Sequence, residues 1–175
     1  MIRWYLLAAG VLALDQATKW IALGQLERGM SVDVLPFLSW TLTCNTGAAF
    51  SMFQGYSWVF AVAAVAVSAF LIFEIWRLPR NEREREPRGR PGFGALRSGW
   101  LEGASYGLVL AGALGNLTDR LIHECVVDFI HVHYGWFNFP VFNVADSAIT
   151  VGAAGWIGLL AEDMFRRRTG RSQSP

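Results

Sequence analysis

Residues Ser57–Trp76 read SWVFAVAAVAVSAFLIFEIW, twenty residues with a single charge, at Glu74. An α-helix rises about 1.5 Å per residue, so about 20 apolar residues match the hydrocarbon core of a bilayer. This stretch therefore reads as a transmembrane helix. Three others of similar length join it, at Ile2–Leu23, Trp100–Leu121 and Phe142–Glu162. Within the last two, Gly103–Thr118 and Ser147–Ala161 are uncharged and rich in small residues (Gly103, Gly107, Ala111, Gly115; Ala148, Gly152, Gly155). Small residues at this spacing let helix backbones approach closely inside a membrane.

Composition agrees with that reading. The chain has 175 residues, of which 53% are hydrophobic, 14% aromatic and 17% charged. Soluble domains average about 25% charged residues. With a mean hydropathy of +0.32, a disordered chain, an acidic tail and a nucleic-acid binder are poor readings. The length suits one domain. The expected fold is an all-α membrane protein, a single domain over residues 1–175, with four transmembrane helices and a small outward-facing β-sheet and loop subdomain.

The first span could pass for a signal peptide, since an apolar run follows Arg3. Asp15 and Lys19 interrupt that run at helical spacing. A cleaved leader has no use for such a pair, whereas a retained helix that builds a site does. No internal repeat of 20–50 residues appears, so an inverted-repeat transporter has no support.

Arginine sets the orientation. Seven arginines lie between Arg77 and Gly99, four close the chain at Arg166, Arg167, Arg168 and Arg171, and Arg3 opens it. On a four-span reading, twelve of the fifteen basic residues then fall on one side. The positive-inside rule makes that side cytoplasmic, with both termini and loop 77–99 inside and loops 24–56 and 122–141 outside. Arg80–Gly92 reads as a solvated linker. In the outer loops, Leu38–Cys44 and Val126–Tyr134 alternate with period two, which predicts short strands. Trp136–Phe142 is aromatic, as suits a sheet lying at headgroup level.

Ionisable residues inside a membrane are costly, so each is a functional candidate. Asp15 and Lys19 sit four apart on one face of the first span. Asn116, Asp119 and Arg120 end the third span, and Asn143 and Asp146 open the fourth. Asp128 lies in the outer loop between them. All fall at one depth, near the outer boundary. Asp15 with Lys19 and Asp119 with Arg120 can equally be self-neutralising interhelical glue. Asp128 and Asp146 have no basic neighbour in sequence. Two carboxylates brought together share one proton near neutral pH, so one can activate water while the other polarises a carbonyl.

At these residues the chain resembles lipoprotein signal peptidase (signal peptidase II) of bacterial inner membranes. Five ordered blocks carry the resemblance: Asp15-Gln16-Ala17-Thr18-Lys19, Asn45-Thr46-Gly47-Ala48-Ala49-Phe50, Gly112 through Arg120, Val127-Asp128-Phe129, and Phe142 through Ser147. The resemblance implies an aspartic endopeptidase, without cofactor or metal. It would cut diacylglyceryl-modified prolipoproteins on the amino side of the lipidated cysteine. By motif match, Asp128 and Asp146 are the catalytic pair. Asn45, Gly47, Asn116, Arg120, Asn143 and Ala145 would line the substrate site, with Asp15, Lys19 and Asp119 in support. The implied partners are prolipoprotein substrates, membrane lipid and globomycin-type inhibitors. The implied location is the inner membrane, with the site facing the periplasm.

Other readings of the same residues are a cysteine peptidase using Cys125, and a zinc site from His131 and His133 with His123 or Glu124. A non-enzymatic carrier using the buried Asp and Lys residues is a third. Cys44 and Cys125 both face the oxidising side, which allows a disulfide without requiring one.

Overall fold

Among the described residues the polarity pattern becomes eight elements: α1 (Ile2–Gln25), β1 (Ser31–Leu35), β2 (Leu38–Asn45), α2 (Ser57–Arg77), α3 (Phe93–His123), β3 (Val126–Tyr134), β4 (Phe137–Asn138) and α4 (Val144–Arg171). This computed structural model describes residues 1–47, 57–78 and 93–171. The expected linker Arg80–Gly92, and Ala48, Ala49 and Phe50 of the second block, lie outside the described residues.

Among the described residues, three helices are long and apolar enough to cross a membrane: Ile2–Gln25, Ser57–Arg77 and Val144–Phe165. They turn large apolar side chains outward, among them Leu6 and Ile21 of α1, Val62 and Phe70 of α2, and Ile157 of α4. Helix α3 has the length, at 31 residues, but is less apolar. The reason is where it sits. It packs against α1, α2 and α4, and none of its residues from 101 to 120 is exposed. A helix surrounded by protein needs no lipid-compatible surface and can carry glycine, amide and charge.

The glycines of α3 and α4 make this enclosure possible. A Cβ on Gly103 would collide with the Trp4 indole, and one on Gly112 with the Ala145 carbonyl oxygen. On Gly152 it would meet Val109 Cγ2 at 2.7 Å and Ser105 O at 2.8 Å. The small-residue stripes are thus true crossing points. Trp4 and Ala8 of α1, Leu71 and Ile75 of α2, and Leu110 and Ala111 of α3 form one buried core. A second core seats the sheet on the end of α1: Ala22 and Leu26 pack with Leu42 of β2 and Val127 and Phe129 of β3. Burying Leu42 and Phe129 there contributes about 2 kcal/mol each relative to exposure to water.

The sheet has strand order β1-β2-β3-β4, antiparallel throughout. The expected strands Leu38–Cys44 and Val126–Tyr134 are present as β2 and β3. Strand β1 was not expected: Ser31-Val32-Asp33-Val34 alternates polar and apolar, but over too short a run to stand out, and all of β1 is exposed. Asp128 lies on β3, inside the expected strand Val126–Tyr134. Three boundaries also move. Helix α3 begins at Phe93, inside the expected loop 77–99, and α4 starts at Val144 and runs past residue 162 to Arg171. Charge ends an apolar run but does not end a helix, since Lys and Arg are good helix formers.

Candidate active site

Four elements bring the polar blocks to one place. On α1, Asp15 and Lys19 are a helical turn apart and fully buried. Lys19 Nζ lies 2.8 Å from Asp15 Oδ2, 2.8 Å from Asp119 Oδ2 and 3.1 Å from Asn116 Oδ1. An ammonium has three donors, and all three are engaged. Asp15 fits because α3 places Gly115 opposite it, where a Cβ would lie 2.5 Å from the Asp15 carboxylate.

These two acids also hold backbone. Asp15 Oδ1 accepts from the Ala145 N–H at 2.8 Å, and Asp119 Oδ2 from the Val127 N–H at 3.0 Å. Ala145 precedes Asp146, and Val127 precedes Asp128. The lysine-centred cluster therefore pins the start of α4 and the start of β3, each one residue before an expected site carboxylate.

Asp146 stands in the first turn of α4. Its N–H donates to Asn143 Oδ1 at 2.8 Å, and the Asn143 N–H donates back to Asp146 Oδ2 at 3.3 Å. This reciprocal capping box fixes the helix start. The Asn143 side chain then reaches the other strand, its Nδ2 donating to Asp128 Oδ1 at 2.7 Å. One asparagine thus joins both carboxylates. Asn116 Nδ2 donates to Asp146 Oδ1 at 2.8 Å, and Asn45 Nδ2 to Asp128 Oδ2 at 3.2 Å. Among the described residues neither Asp128 nor Asp146 makes an ion pair. Burial, followed by the nearby charge of Asp146, pushes the Asp128 carboxyl up to about 7. The Asn45 and Asn143 amides and the Lys19 charge hold it down only in part.

A β-bulge aims Asn45. Trp40 pairs with Ile130 and Thr43 with Asp128, so β2 carries one extra residue over that interval. The extra residue shifts Thr43 and Asn45 onto the face of Asp128, as bulges beside sites do.

This arrangement occurs in a chain whose blocks match a known family along most of its length. The model of the family described as signal peptidase (SPase) II matches residues 7–162. The chain belongs to this family. The lipoprotein signal peptidase of Pseudomonas fluorescens (strain Pf0-1) is 45% identical over 179 residues, which cover 98% of this chain and 92% of the relative. That of Geobacillus thermodenitrificans (strain NG80-2) is 43% identical over 152 residues, or 86% of this chain and 84% of the relative. Among solved structures, a bacterial membrane enzyme determined by the in meso method at 2.3 Å superposes with a TM-score of 0.76. It is 29% identical, and the match covers 94% of this chain and 90% of that one. The chain is therefore a membrane peptidase of the signal peptidase II family, and the carrier reading finds no support.

The remaining expected residues of this signal peptidase II chain fall around the carboxylates. Arg120 does not neutralise Asp119, which belongs to Lys19. It donates instead to the carbonyls of Asn116 and Gly47, at 3.2 Å each. Arg120 Nε is buried without a hydrogen-bond partner among the described residues. The Gly47 N–H donates to Asn45 Oδ1 at 2.9 Å.

Cys44 and Cys125 form a disulfide, so Cys125 is not a free nucleophile and the cysteine-peptidase reading falls. His131 and His133 lie side by side, but their ring nitrogens engage Thr41, Asn138 and Ser39. Among the described residues no group of three His, Cys, Asp or Glu is placed to hold a metal ion.

Sequence reasoning passed over Gln16, which donates to Asp15, Asp119 and the Gly115 carbonyl within 3.1–3.3 Å. Its place inside the first block was the available signal.

Proposed function

We propose that this chain is an aspartic endopeptidase that removes the signal peptide from diacylglyceryl-modified prolipoproteins, cutting on the amino side of the lipidated cysteine. The observation that carries the reading is the bridging of Asp128 and Asp146 by Asn143, with no cation in contact with either carboxylate among the described residues. The reaction needs one ionised and one protonated member. The ionised carboxylate takes a proton from water, whose oxygen attacks the scissile carbonyl carbon. The protonated one donates to the carbonyl oxygen. Collapse of the tetrahedral species breaks the C–N bond, and a proton passes to the leaving amine. An Asp128 carboxyl pushed up to about 7 suits the member that holds the proton near neutral pH.

Asn45, Gly47, Asn116, Arg120, Asn143 and Ala145 line the substrate site in this reading. Arg120 Nε is a buried donor suited to a substrate carbonyl. Globomycin-type inhibitors would occupy the same site. Helix α3 is the fourth membrane span, both termini lie in the cytoplasm of a bacterial inner membrane, and the site faces the periplasm. The exposed Tyr134, Trp136, Phe137 and Phe139 of the β3–β4 hairpin and the segment after it then meet lipid headgroups.

Purified protein in detergent, given a lipidated prolipoprotein and its unlipidated counterpart, tests the reading. Cleavage of the lipidated form alone, unchanged by a chelator, is expected. Chelator sensitivity, or equal cleavage of both forms, would overturn it. Reporter fusions after Gly55 and Arg90 test the topology, and periplasmic activity after Arg90 would reverse it.

A further inference from the structure

The disulfide lies at the corner from which Asp128 is presented. Cys44 and Cys125 are 81 residues apart in sequence, with Cα atoms 5.6 Å apart. Cys44 is the penultimate residue of β2, opposite Val127, and its neighbours Thr43 and Asn45 sit opposite Asp128 and Val126. Cys125 is fully buried where α3 turns into β3. The residue before it, Glu124, has φ 62°, the one non-glycine residue in the left-handed region among those described. A bulky residue holds that conformation only where its surroundings impose it.

The covalent link joins two ordered parts, the α3–β3 corner that launches Asp128 and the end of β2 that carries Asn45, which the β2–β3 pairing also brings together. The Asn45 side chain works in both directions, its oxygen accepting from the Gly47 N–H and its Nδ2 donating to Asp128. Beyond Asn45, the described chain is tied down by the Arg120 contact to the Gly47 carbonyl.

We propose that the Cys44–Cys125 disulfide is a positioning element of the active site: it holds the Asn45 amide on Asp128, and turnover depends on the redox state of this one bond. The proposal rests on the aspartic reading above. The residues act through Asn45 and do not touch substrate. A dithiol reductant such as dithiothreitol supplies two electrons and two protons. The S–S bond breaks, Cys44 and Cys125 become thiols, and the reductant closes to its own disulfide.

The consequence has a sign. An amide donating to a carboxylate stabilises the ionised form, so loosening Asn45 favours the protonated form of Asp128. The charged groups around Asp128 are Asp146 of α4, Lys19 of α1 and Arg120 of α3, and none of them lies on β2, which carries Asn45. The alkaline limb of the pH–rate profile, where the pair loses its shared proton, should then move to higher pH.

The test uses full-length protein in detergent with a lipidated prolipoprotein, compared untreated, after dithiothreitol, and as the Cys44→Ser/Cys125→Ser double variant. Turnover is read against pH and folding against temperature. Reduction and the double variant should each lower the maximal turnover about tenfold, because Asp128 is then less well placed against the scissile bond. Both should move the alkaline limb upward. Asn45→Ala should move the limb likewise, and reduction should then add no further shift.

Two free thiols in the untreated protein overturn the proposal. So does an unmoved limb in both reduced forms, whether turnover is kept or the protein merely melts earlier. Full turnover in Asp128→Asn would instead overturn the aspartic reading itself, and this role for the disulfide with it.

Discussion

Two acidic regions lie side by side in this molecule, and they differ in one respect. Asp15 and Asp119 are buried around Lys19, within 2.8 Å on either side. Asp128 and Asp146 are held by Asn45, Asn116 and Asn143, amides that orient without neutralising. Residue type is the same. The partner decides the role. The two carboxylates that share the Lys19 ammonium are occupied by it and by backbone N–H groups, and serve as a clamp. A carboxylate held only by amides keeps a proton within reach of neutral pH, as Asp128 does.

The largest effect should come from making the second region unable to titrate. Asp128→Asn and Asp146→Asn are nearly isosteric, yet neither can exchange the proton. Each should lower turnover on the order of 10³-fold or more, with the double variant little worse, because groups acting as one unit are not additive. Single-turnover cleavage at matched protein levels measures this. Substantial turnover in either single variant would erase the difference drawn between the regions.

The opposite change breaks the first region. Lys19→Met leaves two buried carboxylates facing each other without their cation. Removing one partner of a buried ion pair costs about 3–5 kcal/mol, so thermal unfolding in detergent should fall by many degrees. Turnover should fall with it, since the cluster holds the N–H groups of Ala145 and Val127. A variant that melts like the parent would mean that the clamp is redundant.

The regions should also differ in their response to pH. The Asp128 carboxyl is raised from 3.8 to about 7, so between those values the folded protein binds a proton that the unfolded chain has released. Its stabilising contribution is full below the lower value and is lost as pH rises through about 7. The melting temperature of the parent should therefore decline across this window relative to Asp128→Asn, which has no such group. Parallel curves would show that Asp128 is not perturbed.

Much of this was legible in sequence, for identifiable reasons. The apolar runs gave the helices, and the arrival of Asp15, Asn116, Asn143 and Asp146 at one level followed from counting along them. Period-two alternation gave β2 and β3, because each has a buried side. Strand β1 alternates only over Ser31–Val34, too short a run to stand out, and was missed. That Lys19 pairs with Asp15 was readable from their spacing; that it also takes Asp119 was not, because Asp119 has Arg120 beside it in the chain and Lys19 beside it only in space. The bulge between Trp40 and Thr43 was hidden too, since one extra residue in a strand reads as ordinary alternation. The disulfide was allowed by compartment but could not be assigned before the register placed Cys44 opposite Val127.

The smallest effect comes from disturbing the first region by volume alone. Gly115→Ala changes no charge. Its Cβ would lie 2.5 Å from Asp15 Oδ2 and 3.2 Å from the Ala145 Cβ, so α1 and α4 must both give way. Overpacking of this kind costs about 1–3 kcal/mol. The displaced carboxylate also weakens its bond to the Ala145 N–H, so turnover should drop along with stability. Gly10 offers the control on α1, because a Cβ there meets nothing within 4 Å. Alanine is the better helix former by about 1 kcal/mol, so Gly10→Ala should be neutral to slightly stabilising, with turnover unchanged. If the two variants melt alike, the close approach of Asp15 to α3 is soft. Clamping by the Lys19 cluster would then rest on charge and not on fit.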